Sequence, residues 1–235
     1  MRTTMIKSLI ALLLTSFCMS GTLQAETEKT LVIGLIGDST VAEESGWGPA
    51  FTSRFDENVK VLNYAKNGAT APSLFKRLDE LLKHKPDYVL VQFGHNDQKR
   101  FEPQEYRKNL QIYINKIQQA KSKPVIVSSV TRRTFNKDGK IVSLVHKSKK
   151  YTYKANLTVY AETAKALANE LKVNFIDLHN ISIAHHNKIG PTVSMKYNFK
   201  EGDLTHFNKK GGLAIANLII AEIKSLLPKV ALHVK

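Results

Sequence analysis

Short apolar runs rich in β-branched residues alternate with amphipathic stretches along most of this chain, and this alternation restricts the fold more than any other feature. The strand-like runs cover residues 31–36, 60–62, 88–91, 125–130 and 173–176. The helix-like patterns cover residues 48–57, 72–83, 103–120, 151–171 and 209–227. Continuous apolar runs of this length are typical of strands that are buried on both faces, as in a parallel sheet.

A regular succession of strand and helix implies right-handed crossovers that place helices on both faces of one sheet. We therefore predict an α/β fold, a three-layer α/β/α sandwich with a five-stranded parallel sheet. A flavodoxin-like strand order of 2-1-3-4-5 would put the ends of the first and third strands beside the switch point, where such sheets bind ligands. No linker, repeat or low-complexity tract interrupts the pattern, so residues 26–235 are expected to form one domain.

Residues 1–25 have the pattern of a secretory signal peptide. Arg2 and Lys7 make a basic start, residues 8–21 form a short apolar run, and Ala25 supplies a small residue suited to cleavage. That run is shorter than a membrane-spanning helix requires, and no later stretch is long enough. Cys18 is the single cysteine, so the expected mature chain holds neither a disulfide nor a cysteine nucleophile. We expect a secreted or periplasmic protein.

The chain is strongly basic, with 35 lysines and arginines against 20 aspartates and glutamates and a formal net charge of +15. Such a field attracts polyanions, which for an exported protein are acidic polysaccharide, lipid headgroups or nucleic acid. The chain carries no nucleic-acid motif and no aromatic array for stacking bases, so nucleic acid ranks last. Exported proteins can also be basic without a charged partner, and both interpretations stay open. For the assembly we favour a monomer.

A serine follows the first strand pattern, in the segment Gly37-Asp38-Ser39-Thr40. A hydroxyl there would lie at the carboxyl edge of the sheet and near helix N–H groups, which favour negative charge. Ester cleavage requires such a nucleophile, a base to take its proton and a carboxylate to orient the base. The same segment is also typical of an ordinary turn in which Asp38 or Ser39 caps a helix.

Asp203 and His206, in the segment DLTH near the C-terminus, could supply that carboxylate and base. Residues three apart can face one another in a turn, so Asp203 can hold one ring nitrogen of His206 and leave the other free to accept a proton. The alternative is a surface loop in which Thr205 or Asn208 caps the helix that begins near residue 209. The two interpretations are compatible.

Two further segments offer donors for a developing oxyanion. Asn96 lies in QFGHND, residues 92–97, directly after the third strand pattern, and its side-chain amide is an uncharged donor. Gly68 lies in NYAKNGAT, residues 63–70, and its lack of a Cβ could let its backbone N–H approach a ligand. Taken singly, each residue is more typical of a turn.

Together these four blocks, with their Ser, Gly, Asn and His, resemble the SGNH (GDSL) hydrolase superfamily, and their details resemble its rhamnogalacturonan acetylesterase branch, carbohydrate esterase family 12. The motifs that carry the closer match are GDSTV at 37–41, GWG at 46–48, NYA at 63–65 leading to Gly68, QFGHND at 92–97, TRRTF at 131–135 and DLTHFN at 203–208. Where the family usually has Gly-Arg-Ser, this chain has Gly68-Ala69-Thr70, so the family's arginine is absent.

The resemblance implies Ser39 as nucleophile, His206 as base and Asp203 as its orienting acid. It implies an oxyanion hole formed by the Ser39 N–H, the Gly68 N–H and the Asn96 side chain. The implied activity is removal of acetyl groups from an acetylated, acidic plant cell-wall polysaccharide, with rhamnogalacturonan or pectin first, through an acetyl-serine and without a cofactor. Two alternatives stay open: an SGNH lipase, lysophospholipase or thioesterase, and a catalytically silent polysaccharide-binding module.

Three other residues are candidates for substrate binding. Arg132 and Arg133 follow the fourth strand pattern, where paired guanidinium groups could grip a substrate carboxylate or could instead brace a loop through hydrogen bonds to carbonyl groups. His95, beside Asn96, could contact the substrate or lock its own loop by hydrogen bonds.

A group of histidines, with Asp177, at first suggests a metal site: His179, His185 and His186. Their spacing matches no established ligand pattern, so no metal is predicted. Residues 179–197 are predicted instead to form a loop near the entrance of the site.

Overall fold

The computed structural model describes residues 30–145 and 156–235. The signal peptide predicted at residues 1–25, including Cys18, lies outside the described residues. So do residues 151–155, the start of the fourth predicted helix.

Within the described residues, five strands form one parallel sheet in the order β2-β1-β3-β4-β5. They are β1 (Leu31–Gly37), β2 (Val59–Asn63), β3 (Tyr88–Gln92), β4 (Lys123–Val127) and β5 (Asn174–Ile176). The predicted strand order is confirmed. It places the ends of β1 and β3 side by side, with Gly37 in register with Gln92.

The helices of the described residues are α1 (Gly48–Thr52), α2 (Phe75–Leu82), α3 (Pro103–Gln119), α4 (Leu157–Leu171), α5 (Leu178–Met195), α6 (Lys209–Leu226) and α7 (Pro228–Ala231). Short 3₁₀ turns at Ala71–Leu74 and Asp97–Lys99 precede α2 and α3. The Asn208 side chain accepts the Gly211 N–H at 3.0 Å, so it caps α6 as the sequence predicts. None of the described helices has the length and apolar composition needed to cross a membrane.

Two apolar cores lie on the two faces of the sheet. On one face, Ile33 and Leu35 of β1 pack with Trp47 and with the apolar sides of α1 and α6. On the other face, Ile36 packs with α2, α3 and α4. Neighbouring residues of β1 thus serve opposite cores, as the pleat of a strand requires. The three-layer α/β/α sandwich is confirmed.

The prediction of a loop at residues 179–197 is wrong, because most of that segment forms helix α5. The helix is interrupted at Gly190 (φ 74°, ψ 171°), directly before Pro191, so two helical pieces meet at a kink. Several of its buried positions are polar: His179, Ser182, His186 and Ser194. The apolar periodicity that marks a helix is therefore missing from this part of the sequence.

Candidate active site

The segments that follow strands β1 and β3 contribute residues to the candidate site. A Cβ on Gly37 would lie 2.4 Å from the carbonyl oxygen of Gln92, so only glycine lets the two strands end this close together. Ser39 follows β1 by two residues and Asn96 follows β3 by four, and both line the same cavity of about 430 Å³.

A buried polar network holds the backbone on both sides of Ser39. Asp38 Oδ1 accepts hydrogen bonds from the Thr40 N–H at 2.9 Å and the Thr40 hydroxyl at 2.8 Å. Gln92 Nε2 donates to the Thr40 hydroxyl oxygen, and Trp47 Nε1 donates to Gln92 Oε1 at 3.0 Å. All four side chains are buried. Hydrogen bonds shielded from water in this way fix the turn that carries Ser39.

Ser39, His206 and Asp203 form a continuous hydrogen-bonded chain. Ser39 Oγ lies 2.7 Å from His206 Nε2, and His206 Nδ1 lies 2.9 Å from Asp203 Oδ2. Asp203 Oδ1 also accepts the backbone N–H groups of Thr205 and His206, each at 3.0 Å. Burial raises the pKa of Asp203, but the hydrogen bonds from His206 and Thr205 outweigh it and hold that pKa below its ordinary value. The carboxylate is therefore ionised at neutral pH and fixes the orientation of the imidazole.

Gly68 and Asn96, the predicted oxyanion donors, line the cavity together with Ser39. Gly68 has φ +75°, and a Cβ there would meet open space, so glycine is required by the backbone conformation and not by crowding. Asn96 Nδ2 donates to the carbonyl oxygen of Ala69 at 3.0 Å, which orients the amide through the neighbouring segment. An amide nitrogen carries two hydrogens, so one remains for a ligand.

Arg133 lies behind the Asp203–His206 loop, and its predicted role in substrate binding is wrong. Its side chain is fully buried. Its Nε donates to Asn198 Oδ1 at 2.7 Å, and its Nη2 donates to the carbonyl oxygens of Asp203 at 2.9 Å and His206 at 2.6 Å. The guanidinium also lies 4.6 Å from the ring centre of Phe207. The alternative interpretation, an arginine that braces a loop through carbonyl groups, is confirmed.

Burial shifts the pKa of Arg133 but leaves the guanidinium charged at neutral pH. It lowers the pKa of the guanidinium to about 10, and the nearby Asp203 carboxylate opposes this shift. Arg133 is therefore a cation at neutral pH. A buried cation with three short hydrogen bonds to one loop is a strong constraint on that loop.

His95 is also turned inward, so the structure contradicts its predicted contact with substrate. Only 2% of the residue is exposed, and its Nδ1 lies 3.5 Å from Asp38 Oδ2. Burial lowers the pKa of His95 even though Asp38 raises it, so the imidazole is neutral beside an ionised Asp38. Arg132 is half-buried and lines a separate small cavity with Thr134 and Leu157, and it does not line the cavity that contains Ser39.

Asp97 is a second buried carboxyl group beneath the site. Its Oδ1 accepts the Ala71 N–H at 2.9 Å and thereby links the end of β3 to the turn before α2. Burial, aided by the charge of Asp38 and opposed by backbone N–H groups, raises the pKa of Asp97 to about 7.

The histidines of α5 are engaged with protein groups. His179 Nδ1 lies 3.1 Å from the Ser129 carbonyl oxygen, and its Nε2 lies 3.0 Å from the Thr158 hydroxyl. His186 Nδ1 lies 2.9 Å from the Ser194 hydroxyl, and burial lowers the pKa of His186 to about 3. In the part of the chain that the structure describes, no group of three or more His, Cys, Asp or Glu side chains is arranged to hold a metal ion.

Sequence reasoning missed part of the cavity wall. The additional lining residues are Glu44, Ser45, Asn67, Phe199 and Lys200. Asn67 Nδ2 donates to Glu44 Oε2 at 2.9 Å and so joins the segment that contains Gly68 to the one that follows Ser39. Phe199 and Lys200 lie just before the DLTH segment at residues 203–206. This closeness in sequence to Asp203 was the only feature that could have predicted their place in the cavity wall.

Comparison with known proteins identifies the family. The model of the GDSL-like lipase/acylhydrolase family matches residues 35–212, which include all four blocks. This chain belongs to that family. Rhamnogalacturonan acetylesterase RhgT of Bacillus subtilis (strain 168) is 33% identical to this GDSL-family chain over 225 residues, covering 85% of the chain and 92% of RhgT. The probable rhamnogalacturonan acetylesterase YesY of the same strain is 28% identical, covering 83% and 93%. The predicted family is confirmed, and the chain is a carboxylic ester hydrolase.

Solved structures agree with this fold. Protein YxiM of Bacillus subtilis superposes with a TM-score of 0.68 at 25% identity, covering 83% of this GDSL-family hydrolase and 56% of the YxiM chain. Axe2, an acetylxylan esterase from Geobacillus stearothermophilus, superposes with a TM-score of 0.61 at 17% identity, covering 83% and 94%. The second likeness shows the shared fold alone.

Proposed function

We propose that this GDSL-family hydrolase removes acetyl groups from a plant cell-wall polysaccharide, with rhamnogalacturonan as the first candidate. The observation that carries the proposal is the chain from Ser39 through His206 to Asp203, with links of 2.7 and 2.9 Å, at the wall of an open cavity. The similarity to RhgT and YesY supports the choice of substrate.

In the proposed first half-reaction, Ser39 Oγ attacks the acetyl carbonyl carbon while its proton passes to His206 Nε2. Asp203 stabilises the imidazolium that forms. The tetrahedral oxyanion is held by the N–H groups of Ser39 and Gly68 and by the Asn96 amide. The bond between the carbonyl carbon and the sugar oxygen then breaks, and His206 returns its proton to that oxygen, so the sugar alcohol leaves.

In the second half-reaction, His206 takes a proton from water, and the resulting hydroxide attacks the acetyl-serine carbonyl. The same donors hold the second oxyanion. The ester bond to Ser39 Oγ breaks, the imidazolium protonates that oxygen, and acetate is released. These residues complete the cycle with water as the only co-reactant.

The composition of the cavity wall favours a short acyl group. Among the described residues that line it, Phe199 is the one large apolar side chain, and most of the others are polar or charged. A long acyl chain needs a groove that removes much apolar surface from water. An acetyl group has a single methyl and needs none.

We also infer that the protein is exported, on the basis of the basic start and apolar run of residues 1–25. N-terminal sequencing of the protein recovered from the periplasm or culture medium should find Glu26 as the first residue. Recovery of the intact chain from the cytoplasm alone would contradict export.

The test of the proposed activity is acetate release from a panel of substrates. Acetylated rhamnogalacturonan should be the best polymer, ahead of acetylated homogalacturonan and acetylxylan, and p-nitrophenyl acetate should be preferred to its longer acyl homologues. Preference for long acyl esters would favour a lipase or thioesterase instead. If no ester is hydrolysed, the result would favour a catalytically silent polysaccharide-binding module.

A further inference from the structure

One loop carries both the proposed base and an unusual pair of exposed residues. Phe199 is 42% exposed, and Lys200 beside it is exposed as well. Both line the cavity that contains Ser39. An exposed aromatic ring and a cation at the wall of a polar cavity offer an apolar face and a positive charge to the same ligand.

The backbone of this loop is firmly held, so the pair has a fixed position relative to the base. The loop closes through an antiparallel bridge between Asn198 and Phe207, and the Phe199 N–H donates to the His206 carbonyl oxygen at 3.1 Å. The Asp203 N–H donates to the Lys200 carbonyl oxygen at 3.0 Å. One backbone hydrogen bond thus links Phe199 to His206, and another links Lys200 to Asp203.

Lys200 is exposed and forms no ion pair with another described residue. The described ion pairs that involve lysine are those of Lys83, Lys116 and Lys165, so no described carboxylate neutralises Lys200. Elsewhere in the cavity wall, Glu44 accepts a hydrogen bond from Asn67, and Asp203 is engaged by His206. Lys200 is the one lysine or arginine among the described residues that line the cavity.

From this placement we propose that Phe199 and Lys200 form a subsite for a uronic acid residue next to the acetylated sugar. The ring of Phe199 packs against the C–H face of the sugar, and the Lys200 ammonium pairs with its carboxylate. The inference builds on the proposed deacetylase function and assigns the acidic part of the substrate to this pair. It replaces the role that the sequence suggested for Arg132 and Arg133.

The kinetic test compares an acidic polymer with its neutral counterpart. Lys200→Met should raise KM for acetylated pectin by up to about fivefold, the usual value of one exposed charge pair, and should leave kcat nearly constant. The increase should be much smaller on the same pectin after methyl esterification of its carboxyl groups. Lys200→Glu should have a larger effect in the same direction. Phe199→Ala should raise KM for both polymers, because ring packing does not depend on the carboxylate.

The matched control is Lys229→Met, which removes the same charge from an exposed lysine of α7 that does not line this cavity. Its KM on acidic pectin should stay near that of the wild type. Equal increases in KM for Lys200→Met and Lys229→Met would show that the effect comes from the net charge of the protein, and would overturn the subsite. Equal increases for Lys200→Met on acidic and esterified pectin would also overturn it.

A binding measurement separates failure of this subsite from failure of the proposed activity. Isothermal titration with unacetylated oligogalacturonate should show binding to the wild type that weakens in Lys200→Met, while binding of a neutral xylo-oligosaccharide should not depend on Lys200. If acetylated polymers are not hydrolysed but this dependence is found, the proposed activity fails and the subsite stands. If polymers are hydrolysed but oligogalacturonate binding does not depend on Lys200, the subsite fails.

Discussion

The two walls of the candidate active-site cavity are held by different kinds of contact. Ser39 lies two residues after strand β1 and Asn96 lies four residues after strand β3 of the central sheet, and a fully buried network that includes Asp38, Thr40 and Gln92 holds the turn at Ser39. Asp203 and His206 lie in a partly exposed loop outside any helix or strand. One wall, the sheet side (Ser39 and Asn96), is therefore an extension of the sheet. The other, the loop side (Asp203 and His206), depends on contacts made by the loop itself.

Arg133 supplies the most concentrated of those contacts. It is a buried cation bonded to Asn198 Oδ1 and to the carbonyl oxygens of Asp203 and His206. The comparison teaches that the proposed nucleophile and base are positioned by separable means: a buried side-chain network on the sheet side, and on the loop side a set of loop hydrogen bonds in which one guanidinium supplies three. Substitutions on the two sides should therefore differ in how activity and stability change together.

The largest effect on activity is expected on the sheet side, at Ser39, the proposed nucleophile. Ser39→Ala should lower kcat by at least about a thousandfold, as removal of a triad member usually does. Because the Asp38, Thr40 and Gln92 network remains, the melting temperature should stay close to that of the wild type. Turnover of p-nitrophenyl acetate and a thermal melt check both parts. Wild-type turnover by this variant would remove Ser39 from the mechanism.

The second effect on the sheet side concerns the oxyanion. Asn96→Ala should lower kcat by roughly a hundredfold or more with little change in KM, since the lost donor acts mainly in the transition state. Steady-state kinetics with p-nitrophenyl acetate separate the two constants. A change in KM alone would make Asn96 a residue that binds the ground state.

On the loop side, Arg133→Lys should lower activity and stability together. A lysine ammonium cannot reproduce the planar fork that reaches three acceptors. The Asp203 carbonyl oxygen then loses its donor at a cost of about 1–3 kcal/mol, whereas the His206 carbonyl oxygen keeps the Phe199 N–H. His206, the proposed base, should also shift. A displacement of about 1 Å can cost up to a hundredfold in rate, so we expect kcat to fall by about ten- to a hundredfold.

The neighbouring residue provides the control for that experiment. Arg132→Lys makes the same chemical change one position away, at a side chain that does not line the cavity. It should lower kcat and the melting temperature much less than Arg133→Lys does. Equal effects of the two substitutions would contradict the assignment of Arg133 as the brace of the loop.

The smallest effect is expected on stability, from Asp97 beneath the sheet side. Its pKa is raised from 3.8 to about 7, so between these values the folded protein holds a proton that the unfolded chain has released. The contribution of Asp97 to stability therefore falls as pH rises through this range. Asp97→Asn keeps an acceptor for the Ala71 N–H and should be more stable, relative to wild type, near pH 8 than near pH 5. Thermal melts at both pH values check this, and a difference independent of pH would contradict it.

Much of the sheet side could be predicted from sequence, because local patterns determine it. Apolar runs such as residues 88–91 mark buried strands, and the polar residues after them must meet at one edge of a parallel sheet. The geometry of Ser39, Asp203 and His206 agrees with what their motifs led us to expect.

The loop side was harder to predict because distant contacts determine it. The sequence does not show that Arg133 is covered by residues 198–207, more than sixty positions later, so its charge was equally consistent with an exposed substrate contact. The same limit applies to His95, whose inward orientation depends on Asp38. Helix α5 was missed because His186 and Ser194 bond to each other in the interior, where the usual pattern expects apolar side chains.

The central claim of this account is that Ser39 carries the acetyl group during turnover. The most direct measurement is a rapid mixing of the enzyme with p-nitrophenyl acetate, followed by acid quench, proteolysis and mass spectrometry of the peptide that contains Ser39. We expect the mass of one acetyl group on Ser39 in the wild type and none in Ser39→Ala. Acetate release by the wild type with the acetyl group found on another residue, or acetylation of the same peptide in Ser39→Ala, would contradict the claim.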